Sequence, residues 1–112
     1  MAVKLVALHS PFVGPGTWRG LAPRLRAAGY DVAVPDFTGV MAGVGPYHEN
    51  MVAIARAVVS PAESQNTILV AHSGAGALIP AVAGDGLAAG AIYLDALLPH
   101  PGLSWFETLR CI

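Results

Sequence analysis

The sequence predicts an α/β fold, a parallel sheet of about four strands with helices on both faces. Three observations carry this. Apolar blocks of strand type alternate along the chain with segments of helical periodicity. Gly and Pro, 13 and 9 of the 112 residues, stand between the blocks as punctuation. Hydrophobic residues make up 54% and charged residues 12%, where an ordinary globular chain has roughly a quarter charged. That balance suits strands buried on both faces, which read as near-continuous apolar runs.

Residues 3–9 form the first such run, rich in β-branched and apolar side chains and ending in polar and turn residues. Residues 17–28 follow with Trp18, Leu21, Leu25 and Ala28 at helical spacing, Arg19 and Arg26 off that stripe, and Gly29 as the stop. Pro23 inside the pattern predicts an irregular first turn. Residues 31–36 are a second strand, and 39–45 a glycine-rich loop. Pro46 suits the first turn of a helix whose Tyr47, Met51, Ile54, Ala55, Val58 and Val59 share one face. The third strand, 67–72, is the clearest. Residues 74–83 read as a helix with small residues at its start and Pro80 as a point of kinking, and residues 89–95 as a fourth strand. This alternation implies right-handed crossovers between parallel strands, and a sheet of that kind binds ligands at the carboxyl ends of its strands.

A chain of this length is one domain, 1–112, with no repeat, linker or low-complexity tract. The net charge is −1 and like charges do not cluster, so neither nucleic acid nor an anionic membrane surface is an expected partner. No apolar run approaches the roughly 18 residues of a membrane span, and no signal-peptide pattern opens the chain, so the expected location is cytoplasmic. The single cysteine, Cys111, excludes an internal disulfide and reads as an incidental terminal thiol. No cofactor or metal is implied.

The chemistry-bearing motif stands at the end of the third strand, Ala71-His72-Ser73-Gly74-Ala75-Gly76. A serine forced into a tight strand-to-helix turn projects its hydroxyl above the sheet, and small residues two before and two after avoid collisions where the backbone doubles back. The first N–H groups of the following helix, Gly74 foremost, point at the place where an oxyanion would develop. The alternative is that Ser73 caps the helix and nothing more.

Three further stretches accompany this elbow. Leu8-His9-Ser10-Pro11-Phe12 is followed by Gly16-Thr17-Trp18; Gly29 to Asp36 reads Gly-Tyr-Asp-Val-Ala-Val-Pro-Asp; Ile92 to Pro99 reads Ile-Tyr-Leu-Asp-Ala-Leu-Leu-Pro. Together the four resemble, in order and spacing, the front half of an α/β-hydrolase, the superfamily of esterases, lipases and hydroxynitrile lyases. The resemblance implies a three-layer sandwich with sheet order 2-1-3-4, forming the N-terminal portion of the domain. The C-terminal strands and the region of the catalytic histidine are expected to be absent.

It also implies a serine hydrolase acting on a small ester-like substrate through an acyl-Ser73 intermediate, with the Gly74 N–H as oxyanion donor. The family's second donor follows its His-Gly pair, and here that position is Pro11, which has no N–H. The Phe12 N–H or the Ser10 hydroxyl is the substitute; Ser10 alternatively contacts substrate as in a hydroxynitrile lyase, or is an ordinary turn residue. Asp95 and His100 follow Ser73 in the family's order of acid and base; the alternative for His100 is a surface histidine between Pro99 and Pro101. His9 and His72 are expected to orient loops, and His48 to be solvated. On its own such a truncated chain is expected to be weakly active or inactive; the alternatives are a non-catalytic pseudoenzyme, one subunit of a split hydrolase, and a hydroxynitrile-lyase-like enzyme cleaving a C–C bond with Ser73 as proton acceptor. The fourth strand, 89–95, is then an open apolar edge through which the chain pairs with a second copy or a complementing chain. Residues 104–109 are read as the start of a helix shielding part of that edge.

Overall fold

The computed structural model describes residues 3–100, 102–104 and 107. Four parallel strands, β1 (Lys4–Leu8), β2 (Asp31–Ala33), β3 (Thr67–Ser73) and β4 (Gly90–Ala96), form one sheet in the order β2-β1-β3-β4. This is the predicted order. The strand bounds differ from those expected by one to three residues: β2 ends at Ala33 rather than Asp36, β3 runs on to Ser73, and β4 starts at Gly90 rather than Ala89.

Alternation along the central strands sorts the core into two layers. Val6 and Leu8 of β1, with Leu69 and Ala71 of β3, pack with Phe37 against α2 (Tyr47–Arg56) and α3 (Ile79–Ala83), through Met51, Ala55, Ile79 and Val82. Leu5 and Ala7, with Val32 and Val70, pack on the other face against Trp18 and Ala22 of α1 (Leu21–Ala27) and the turn before it. Four of the five β1 residues are buried, and each fully buried Val or Leu contributes roughly 1.5–3 kcal/mol.

The helices carry two corrections. Of the expected stripe Trp18, Leu21, Leu25, Ala28 only Trp18 and Leu25 pack on the core, because residues 15–18 form a 3₁₀ turn and the α-helix begins at Leu21, a start later than Thr17 of the kind Pro23 allows. That break resets the phase: Ala22 is buried beside Trp18, while Leu21 and Ala28 are exposed. Pro23 sits in the first turn, where its missing N–H has no intrahelical partner to lose. The helix ends as Gly29 predicts: Gly29, at φ 100°, donates to Arg26 O and Tyr30 to Leu25 O, the paired bonds of a left-handed C-cap.

The predicted helix over 74–83 is two elements, a 3₁₀ turn at Gly74–Leu78 and then α3. Pro80 is the second residue of α3, so it begins a helix rather than kinking one. The expected face of α2 is apolar and inward and continues past its end at Arg56: Met51, Ala55 and Val59 are buried and Ile54 and Val58 pack on the core, but Tyr47 lies at the exposed end.

At β4 the burial changes. Tyr93 and Ala96 pack on the α2–α3 side, whereas Ile92, in register with Val70, and Leu94, in register with His72, face the α1 side and are 46% and 41% exposed. Among the described residues no strand pairs with the outer edge of β4. Ser104 and Glu107 bond reciprocally, each backbone N–H to the other's side chain, as at a helix start; the rest of the helix expected over 104–109 lies outside the described residues. Among those described, no helix is long and apolar enough to cross a membrane.

Candidate active site

Strand β3 ends on Ser73, whose backbone stands at φ 55°, ψ −130°. A side chain in that region costs on the order of 1–3 kcal/mol and persists only where the surroundings hold it. Here they do. Gly74, Ala75 and Gly76 are buried beneath the turn, and the Leu97 N–H donates to Ser73 O at 2.9 Å. A Cβ on Gly76 would overlap the Leu97 carbonyl and meet Ala96 Cβ at 3.0 Å, so β4 approaches the turn closely only because that residue is glycine. The small residues singled out on sequence, Ala71 and Ala75, are both fully buried, but the tightest contact falls on Gly76. No local pattern announces it, because its partner lies 21 residues on.

The loop after β1 stands beside this turn. Leu8 is in register with Ala71, so Ser10 and Ser73 each lie two residues beyond the same rung of the sheet. His9 is fully buried and serves as a strut: its Nε2 accepts the Phe37 N–H at 2.9 Å and its Nδ1 bonds Ser10 O at 2.7 Å. Since Nε2 accepts, the proton belongs on Nδ1 and the ring is neutral. The Asp36 carboxylate, 3.8 Å from Nε2, is therefore a neighbour and not an ion-pair partner. The Thr38 hydroxyl and N–H both bond that carboxylate, and they hold it below its ordinary range. His9 thus orients loops, as its motif position implies.

Ser10 is buried, and its Oγ accepts the Phe12 N–H over a long 3.4 Å. The two residues expected to supply a second oxyanion donor are therefore bonded to each other. With its lone pair engaged by Phe12, the Ser10 hydroxyl keeps its own hydrogen for donation. The Phe12 ring is 61% exposed.

Asp95 is the extra residue of a bulge: His72 is in register with Leu94 and Ser73 with Ala96. Its φ of 44° is the second positive value among non-glycine residues, and its side chain is exposed. The sheet brings Asp95 next to Ser73 in chain path, yet no hydrogen bond among the described residues joins Ser73 Oγ to Asp95 or to His100. His100 is exposed, in the segment after β4. Ser73, Gly74, Ser10 and Phe12 thus lie at one end of the sheet and Asp95 at its margin, while the exposed His100 makes no hydrogen bond to Ser73.

His72, on the α1 side of β3, meets Trp18 edge to face with ring centroids 6.4 Å apart. His48, expected to be solvated, is half-buried and lines a cavity of about 230 Å³ with Met41, Tyr47 and Met51; Pro11 of the β1 loop forms another wall, and Ser73 is not part of the lining.

No family model and no curated protein matches the chain by sequence. Solved structures do. A pyrethroid hydrolase is similar over 95% of this chain and 44% of its own, at 29% identity and a TM-score of 0.77. A polyneuridine aldehyde esterase is similar over 99% of this chain and 47% of its own, at 22% identity and a TM-score of 0.74. An extracellular α/β-hydrolase from a Paenibacillus species, described as sharing structural and functional homology with tobacco salicylic acid binding protein 2, is similar over 91% of this chain and 44% of its own, at 24% identity and a TM-score of 0.71. The chain spans a little under half the length of each.

Proposed function

We propose that this chain, which has the fold of the N-terminal half of an α/β-hydrolase, presents Ser73 as the nucleophile of carboxylic-ester hydrolysis. The observation that carries this reading is the strained backbone of Ser73 at the strand end, φ 55° and ψ −130°, held from below by Gly76 and Leu97. A residue that only capped the following turn would not need that conformation, and Ser73 makes no side-chain cap bond. The likeness to a pyrethroid hydrolase supports the reaction class.

In this reading Ser73 Oγ attacks the ester carbonyl carbon and its proton passes to a base. The carbonyl oxygen becomes an oxyanion, stabilised by the Gly74 N–H and by a second donor from the β1 loop, for which the Ser10 hydroxyl is better disposed than the Phe12 N–H. Collapse breaks the bond to the alkoxy oxygen, the alcohol departs with the proton, and water hydrolyses acyl-Ser73 to the free acid. A serine without a base is a poor nucleophile at its ordinary pKa, and no described histidine bonds Ser73. The chain by itself therefore turns over slowly or not at all unless a base is brought to Ser73. The second reading, a non-catalytic chain or one part of a split hydrolase, is favoured by that same lack of a bonded base.

Labelling of the purified protein by a fluorophosphonate tests this, with Ser73→Ala and His100→Ala as controls. Labelling lost in Ser73→Ala supports the nucleophile, and loss in His100→Ala as well would identify the base. No labelling of folded protein would leave the non-catalytic reading in place.

A further inference from the structure

Among the described residues two buried nitrogens on the α1 face of the sheet have no hydrogen-bond partner: Trp18 Nε1 and His72 Nδ1. Trp18 is only 4% exposed. The rings meet edge to face, centroids 6.4 Å apart and planes at 80°. Their chemistry is complementary, because an indole nitrogen can only donate while an imidazole nitrogen lacking its proton can only accept. Two orphaned groups of opposite character in contact, with no direct bond between them, are the setting in which an internal water makes up the deficit.

We propose that Trp18 Nε1 and His72 Nδ1 together bind one internal water molecule, and that this water fixes His72 as the Nε2–H tautomer. The water accepts a hydrogen bond from the indole N–H and donates one to Nδ1; with two bonds of ordinary length meeting at its roughly tetrahedral angle, it joins nitrogens about 4.5–5 Å apart. Were Nδ1 protonated instead, both rings would donate and the two water hydrogens would point into Leu5, Ala7, Val70 and Ala22, the apolar cluster around Trp18. The bridge has a structural purpose. His72 precedes Ser73, and Trp18 closes the 3₁₀ turn that ends the loop begun at Ser10. His9 pins the near end of that loop through Ser10 O; the Trp18–water–His72 bridge pins its far end to β3. His72 is thus a positioning residue, and the inference holds whether or not Ser73 is reactive.

The test uses the uniformly ¹⁵N-labelled 112-residue chain and reads no activity. A long-range ¹H–¹⁵N spectrum reports the His72 tautomer, and cross-relaxation from the solvent resonance reports a long-lived water at the Trp18 indole proton, which is told from that of Trp105 by its loss in Trp18→Phe. The expected result is an unprotonated Nδ1 with a protonated Nε2 in His72, and a water cross-peak at the Trp18 indole. In Trp18→Phe, which keeps an aromatic ring but removes the donor, the His72 resonances shift toward those of a solvent-exposed histidine. A His72 that carries its proton on Nδ1, or a Trp18 indole without a bound-water peak, overturns the proposal from the unmodified protein alone, so it remains decidable if the variant does not fold.

Discussion

Leu97 holds Ser73 from two directions: its N–H donates to the Ser73 carbonyl oxygen at 2.9 Å, and its own carbonyl occupies the space a side chain on Gly76 would need. The strain at Ser73 is therefore maintained by a residue beyond the end of β4, and removing the space at Gly76 should release it.

Gly76→Ala is accordingly expected to destabilise the fold by about 1–3 kcal/mol, the range for forcing a methyl group into a filled site, and to abolish any fluorophosphonate labelling at Ser73. Gly20→Ala is the control. Gly20 has an ordinary negative φ and open space around it, so that change should be neutral or stabilising by up to roughly 1 kcal/mol. Urea unfolding of both variants checks the contrast; equal midpoints would mean that the Leu97 contact relaxes without cost.

His9→Phe keeps the volume near Phe37 but removes the acceptor of the Phe37 N–H and the donor to Ser10 O. A buried N–H left unpaired costs about 1–3 kcal/mol. The loss should appear in chemical unfolding and, locally, as faster hydrogen exchange at the Phe37 amide, whereas His48→Phe, in a half-buried position with no such bond, should leave that amide protected.

The exposed Ile92 and Leu94 lie side by side on the α1 face of β4, next to an unpaired strand edge. An apolar edge of this kind recruits other strands. The isolated chain should self-associate at tens of micromolar, a concentration scale set by ordinary light scattering, and Ile92→Lys with Leu94→Lys should shift it toward monomer. A monodisperse monomer before any substitution contradicts the expectation.

Asp36 provides a pH dependence with a defined sign. The Thr38 hydroxyl, first, and the Thr38 N–H lower its folded pKa below the ordinary 3.8. A depressed carboxylate stabilises the fold above its unfolded pKa, and that contribution is lost as pH falls through the lower folded value. The expected signature lies below pH 3.8: Thr38→Val should raise the Asp36 titration toward its ordinary value when followed by NMR, with little change in stability near neutrality because the group is exposed.

The strands were legible in the sequence because both faces of the sheet are covered, so each strand reads as a near-continuous apolar run: Val6 with Leu8 and Leu5 with Ala7 fill the two core layers. The elbow was legible because Ser73 and its small neighbours are contiguous. The phase of α1 was not, since three residues between Trp18 and Ala22 include a turn that no periodicity reveals. Gly76 against Leu97, and the contact of the Trp18 and His72 rings, depend on which segments become neighbours, information that spacing along the chain does not contain. The pairing of Phe12 N–H with Ser10 Oγ was hidden for the opposite reason: the two residues are so close that either could have faced the site.

The neutral imidazole of His9 has a mechanical consequence. One rigid ring carries position from the Phe37 amide to the Ser10 carbonyl, so the Ser10 loop takes its height from the start of the β2–α2 connection and not from the glycine-rich stretch farther along. Insertions or deletions between residues 39 and 45 can then alter the outer contour of the molecule while Ser10 stays level with Ser73, which makes that stretch the natural place for the molecule to accommodate a change of loop length.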